Sequence, residues 1–168
     1  SEVVSDLTVS PSDIDESDVK ATSPRALVKE LSKKKALAVL PQDGNSEKVV
    51  IGADTVVYRN KLYGKPHDRA DAIRILNELN GKRHYVFTGV TVISKGIVRT
   101  FAVRSSVRFK SLSQEEIERY VDEYRPYDKA GAYAVQEGVV VKSYRGSLTN
   151  IIGLPMEKLI KVLRNEEV

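Results

Sequence analysis

The sequence contains no cysteine, which removes disulfides and thiolate metal centres from consideration and leans toward a reducing compartment. It has no apolar run long enough to span a bilayer and no stretch patterned like a signal peptide, so a cytoplasmic protein with no membrane partner is expected. No basic block dominates either: 27 lysines and arginines are interleaved with 23 acidic residues. The net charge of +4 points to tolerance of anionic ligands such as phosphates and not to duplex nucleic acid. Tryptophan is absent and the eight tyrosines are scattered, which offers no stacking platform on a basic stripe for single-stranded RNA. Of the two histidines, His67 and His84 stand isolated, and both read as surface or turn residues rather than ligands.

What is present is the material of one globular domain, 168 residues with 41% hydrophobic content. A helix is expected from Ser23 as N-cap and Pro24 in the first turn, with Leu27, Val28, Leu31, Lys35 and Ala38 at helical spacing, ending before Pro41. The three lysines at 33–35 read as its solvated face. A buried strand over 49–57 follows, then a tight turn around 59–61 and a short returning strand. Residues 67–80 read as a second helix with Ile73, Leu76 and Leu79 inward, stopped by Asn80 and Gly81. Two longer strands come next, at 85–93 and 98–109, the second with Phe101, Val103, Ser105, Val107 and Phe109 on one face. Ser113 and Glu116 form a capping box for a helix carrying Ile117, Tyr120 and Val121. A loop over 125–131 leads to an expected strand pair around 132–145, and a last helix from Pro155 directs Met156, Leu159, Ile160 and Leu163 inward. This alternation predicts an α/β fold with a mixed twisted sheet flanked by helices.

Asp54 is the anomaly in this pattern. It sits in the apolar run VVIGADTVV at 49–57, where a carboxylate must be paired, bind a metal or titrate upward. The neighbouring Gly52 lets another group approach the backbone. Hairpin register around the 59–61 turn pairs positions whose numbers total about 119 to 121, which sets Lys65 opposite Asp54, Thr55 or Val56. A carboxylate, a hydroxyl and an ammonium so gathered could hold a metal-bound phosphate ester, and a structural salt bridge would have the same pattern. A second acidic cluster, Asp13, Asp15 and Glu16, has the hard oxygens that magnesium or manganese prefers, though such turns also occur simply solvated. The third is YDKAGAY at 127–133, where Asp128 and Lys129 precede small residues that admit a ligand to the backbone; a helix-to-strand connection bearing a surface ion pair is the alternative.

Six pieces of sequence stand in the order and spacing of one family: IGADTVV at 51–57, GKP at 64–66, LNGKRH at 79–84, TGV at 88–90, DKAGAY at 128–133 and GLP at 153–155. They resemble the Maf family from about Ser10 to the C-terminus. The resemblance implies a nucleotide cleft between two lobes, and a nucleoside triphosphate pyrophosphatase that cleaves between the α and β phosphates with a divalent cation, Mg2+ or Mn2+. It makes Asp54 the catalytic base and Glu16 a metal-site residue together with Asp54. Lys35 and Lys65 would contact phosphates, Asp128 would lie near the phosphates or metal with Lys129 beside it, and Thr55 and Gln136 would select the base. The AspThr pair and the Gln136 that follows AlaGlyAlaTyr match the dTTP/UTP branch of the family rather than the branch acting on 7-methyl-GTP. A homodimer, common in the family, is a possible assembly. The family's opening SxSPRR segment has no counterpart, so the chain reads as a single Maf-like domain over 1–168 without the family's first strand and helix. SerProArg at 23–25 reads as a helix cap. Ala134 stands where the family has a glycine, and the segment between Gln136 and Gly146 is about two residues short by family spacing. The competing expectation is a non-catalytic nucleotide-binding regulator of cell division, a septum formation inhibitor.

Overall fold

The computed structural model describes residues 6–41 and 48–164. Helix α1, Pro24–Ala38, starts where the Ser23 hydroxyl accepts the Ala26 N–H at 3.1 Å, and Pro24 in the first turn gives up no needed donor. Strand β1, Val50–Arg59, turns at Asn60, whose left-handed φ of 60° asparagine tolerates, into the short β2, Lys61–Tyr63. Helix α2, Arg69–Leu79, is capped by Asp68 and buries Ala72, Ile75, Leu76 and Leu79. Strands β3, Arg83–Ser94, and β4, Ile97–Phe109, form a long hairpin. Helix α3, Gln114–Tyr124, opens with the expected capping box and buries Ile117, Tyr120 and Val121.

The sheet order is β2-β1-β3-β4-β5, where β5 is Val141–Arg145. Every ladder among the described residues is antiparallel, which narrows the mixed pairing expected of this α/β sheet. Helices cover both faces. On β1 and β3 the alternation assigns Gly52, Gly89 and Thr91 to the face carrying α1: a Cβ on Gly52 would come 2.3 Å from the Ser32 carbonyl oxygen, and one on Gly89 would come 2.1 Å from that of Val28. Ser32 and Thr91 share a hydroxyl hydrogen bond of 2.9 Å across that contact. The opposite face packs Val90 and Val92 against Leu159 and Val162 of α5, Met156–Leu163. A larger cluster joins Val57, Val86, Val107 and Phe109 to α2 and α3.

Three local expectations change and one element is added. The hairpin register is as expected, but the ladder ends at Val57↔Tyr63, so Lys65 lies beyond it and faces no residue across the strands. The strand pair expected at 132–145 resolves into two single-turn 3-10 segments, Ala130–Ala132 and Val135–Glu137, followed by β5 alone. Gly131 at φ 73° and Gly138 at φ 67° interrupt any extended path there. A further short helix, α4 at Leu148–Ile152, precedes α5. Met156 is 37% exposed, and Val162 takes the inward position of the last helix.

Among the described residues, no helix is long and apolar enough to cross a membrane. The α1 seat yields a stability prediction. Gly89→Ala drives a methyl group into the α1 backbone and is expected to destabilise the protein by about 1–3 kcal/mol or more. A urea midpoint equal to that of the parent would show that α1 does not sit this close in solution.

Candidate active site

Asp54 points to the α1 face of β1, as Gly52 does, because side chains two apart share a face. One α1 turn beyond Ser32 stands Lys35, whose ammonium donates to Asp54 Oδ1 and lies 2.9 Å from Glu16 Oε1. The partner of the buried carboxylate is therefore Lys35 and not Lys65, which sits farther off and acts on Asp54 through charge alone. The Asp54 side chain is 10% exposed and that of Glu16 is 54% exposed, so the pair is sealed on one side and open on the other. Burial pushes the Asp54 carboxyl up; the Lys35 hydrogen bond and charge pull it back without cancelling the rise. Burial works to lower the Lys35 ammonium, but its bonds to Asp54 and Glu16 outweigh it and the net direction is up.

The acidic turn is folded onto α1. Asp15 accepts the backbone N–H and hydroxyl of Ser17, and Lys34 donates to the Asp15 carbonyl at 2.8 Å. Of the three consecutive lysines, Lys33 alone is exposed and the other two are half-buried, which corrects the reading of all three as a solvated face. Arg25 donates to the Ala102 carbonyl of β4, consistent with a cap segment rather than a ligand-binding one.

A cleft of about 280 Å³ opens beside Asp54, lined by Lys35, Asp54, Thr55, Lys65, Asp128, Lys129 and Gln136. Glu16 reaches it through Lys35. Topology explains how neighbours on opposite strand faces line one space: β2 pairs only with Val57, Tyr58 and Arg59, so Val50 to Val56 form an open edge among the described residues. Both Asp54 and Thr55 can turn into a cleft at that edge. Thr55 is fixed by a 2.8 Å bond to the Thr88 hydroxyl, which donates on to the Asn150 carbonyl of α4. Gly131 donates its N–H to the Gly64 carbonyl at 3.1 Å, which draws the segment bearing Asp128 and Lys129 to that bearing Lys65. Asp128 and Lys129 form a loose ion pair at 3.4 Å.

Ile152 lines the cleft and carried no signal in the sequence; Gly153 and Tyr133, which belong to the GLP and DKAGAY motifs, line it too. Behind Tyr133 lies His84, which is wholly buried, contrary to its reading as a surface or turn residue. Its Nε2 shares a 2.8 Å hydrogen bond with the Tyr133 hydroxyl, and its ring stands edge-on to Phe109. Burial, helped by the Arg59 charge, pushes the imidazole down to about 4. His67, by contrast, is exposed as expected.

A divalent cation fits the donor set. Asp54 and Glu16 present two hard carboxylates on one ammonium, and an ion of the magnesium type takes one or two carboxylates and completes its shell with phosphate oxygens and water. No group of three or more potential ligands occurs among the described residues.

An open sheet covered by helices, with a desolvated carboxylate and three lysines around one edge cleft, defines an α/β protein built to receive a polyanion. The chain belongs to the Maf family, whose profile, described as Maf-like protein, matches residues 1–166. It is 44% identical over 161 residues to a protein of Thermosipho africanus named dTTP/UTP pyrophosphatase, covering 94% of this chain and 81% of that one. Proteins of the same name from Latilactobacillus sakei and Bacillus anthracis are 37% and 38% identical, covering 97% and 91% of this chain and 91% and 81% of theirs.

The buried His84 generates a pH prediction. The folded imidazole binds its proton at about 4, well below the roughly 6.5 of an unfolded chain. Its contribution is therefore intact above pH 6.5 and is lost as pH falls toward 4, by roughly 3 kcal/mol in all. His84→Gln should flatten the fall of urea-derived stability across that window, and an identical slope in both proteins would contradict the assignment.

Proposed function

We propose that the chain hydrolyses a nucleoside triphosphate of the dTTP/UTP type to the monophosphate and pyrophosphate, with a divalent cation bound by Asp54 and Glu16, in the cytoplasm. The observation that carries this reading is the convergence of Lys35, Asp54, Lys65 and Gln136 on one cleft, in a chain whose relatives bear the name dTTP/UTP pyrophosphatase.

In the free protein the Lys35 ammonium is divided between Asp54 and Glu16. A triphosphate entering the cleft competes for that ammonium, and Lys65 and Lys129 add positive charge along the same wall. Lys35 then turns from the carboxylate to phosphate oxygens. Asp54, parted from Lys35, accepts a proton from water attacking the α phosphorus. The bond between that phosphorus and the bridging oxygen to the β phosphate breaks, and pyrophosphate leaves with the electron pair. A cation held by Asp54 and Glu16 would supply Lewis acidity and neutralise phosphate charge. At the other end, the Gln136 amide donates to a pyrimidine carbonyl and accepts from its ring N–H, while Thr55, bonded to Thr88, borders the base.

Turnover is expected to require a divalent ion and to fall about 10²–10⁴-fold in Asp54→Asn. A folded Asn variant that keeps most of its turnover sinks the mechanism. Nucleotide binding without pyrophosphate release in the parent protein would instead favour the septum-regulator alternative.

Base choice follows from the amide. A site that hydrogen-bonds one base edge rejects analogues that leave its polar groups unpaired. In a pyrophosphate-release panel, dTTP and UTP should be turned over faster than 7-methyl-GTP, and Gln136→Glu should narrow the gap. A clear preference for 7-methyl-GTP in the unmodified protein overturns the pyrimidine assignment and leaves the chemistry standing.

A further inference from the structure

Gln136 occupies the middle of the turn Val135–Glu137, a single 3-10 turn. Its internal hydrogen bonds are long: 3.4 Å from Glu137 N–H to the Ala134 carbonyl and 3.3 Å from Gly138 N–H to that of Val135. Ala134, at the N-cap position, has no side-chain group with which to cap the turn. An exposed side chain on so weak a turn has no local reason to hold one direction.

We propose that Tyr120 is a specificity-positioning residue: its hydroxyl clamps both flanks of this turn, and so fixes the Gln136 amide that reads the base. The proposal rests on the functional reading above, in which Gln136 meets a pyrimidine.

Three observations carry it. First, one oxygen serves both ends of the turn: the Tyr120 hydroxyl accepts the Ala134 N–H at 3.3 Å and donates to Glu137 Oε2. The Ala134 bond is as long as the turn's own, so the hold comes chiefly from the bond to the Glu137 carboxylate, which is of the charge-assisted kind. Second, Tyr120 is buried and packed. It is 2% exposed on α3, whose first turn is locked by the Ser113 and Glu116 capping box, and its ring stacks on Tyr124 with centroids 5.0 Å apart. Third, Ala134 and Gln136 line the cleft whereas Tyr120 and Glu137 do not, so the phenol acts through the turn and touches no substrate. Burial and the Glu137 carboxylate push the phenol up, so it remains a donor throughout the working range. Lys110 adds a 3.2 Å bond to the Gly138 carbonyl just beyond the turn.

The test compares the parent protein with Tyr120→Phe, Glu137→Ala and the double variant. Readouts are kcat and KM for dTTP, UTP and GTP, and amide hydrogen exchange over 134–138. Tyr120→Phe keeps the ring and removes only the clamp. Each single variant should reduce the kcat/KM preference for dTTP over GTP about tenfold, through KM for dTTP, with kcat changed by less than about twofold. The double variant should be no worse than the poorer single one, because either change breaks the same contact. Exchange over 134–138 should quicken while that of α3 stays as in the parent. If Tyr120→Phe does not fold, Glu137→Ala carries the same comparison from the far side of the bond. Unchanged selectivity in an active protein, or an equal loss of kcat on every nucleotide, overturns the clamp alone. A parent protein that releases no pyrophosphate from any nucleotide overturns the functional reading and, with it, the role in base choice.

Discussion

The close seat of α1 on the sheet is the contact on which the site depends. Gly52 and Gly89 lie on one face of adjacent strands, and neither leaves room for even a methyl group between strand and helix. Where side chains would normally interdigitate, backbone meets backbone, and the hydroxyls of Ser32, Thr91 and Thr100 form a chain of 2.9 Å bonds along the seam. That proximity brings Lys35 within hydrogen-bonding reach of Asp54. A helix held off by side chains at these two positions would carry Lys35 away from Asp54, and a buried carboxylate without a partner costs several kcal/mol.

The electrostatic consequence is a carboxylate that is buried yet replaceable in its pairing. Its partner also serves Glu16, which is half exposed. The pair is therefore sealed toward the sheet and accessible from the cleft. The other charged groups of the cleft come from a different part of the chain and are organised by a different device. Gly131, at positive φ, packs where a Cβ would come 2.9 Å from a Val57 methyl carbon and bonds to the Gly64 carbonyl, so that the 128–133 segment closes over the hairpin.

Much of this architecture is legible in local spacing. The caps at Ser23 and Ser113, the inward stripe of α2 and the register of the first hairpin all follow from periodicities of two and 3.6 and from turn chemistry within a few residues. Asp54 stood out for the same reason: a charge in an apolar β run breaks its own context. The family resemblance then gathered the candidate positions, and seven of them line one cleft.

Contacts between residues far apart in the chain lay outside that reach. Lys35, not Lys65, pairs with Asp54 because a helix was laid on a particular face at a particular depth, and no strand register encodes that choice. His84 reads from the sequence as a surface or turn residue, but it lies at the start of β3, and Tyr133, 49 residues on and outside the sheet, meets its ring nitrogen. The 134–137 turn carries no periodicity at all, and its order comes from a phenol on α3. Sequence patterns report which side of an element is apolar. Which polar groups meet across the packed faces depends on how elements approach one another, since hydrogen bonds and ion pairs are decided over about 3 Å and hydrophobic periodicity constrains position far more loosely.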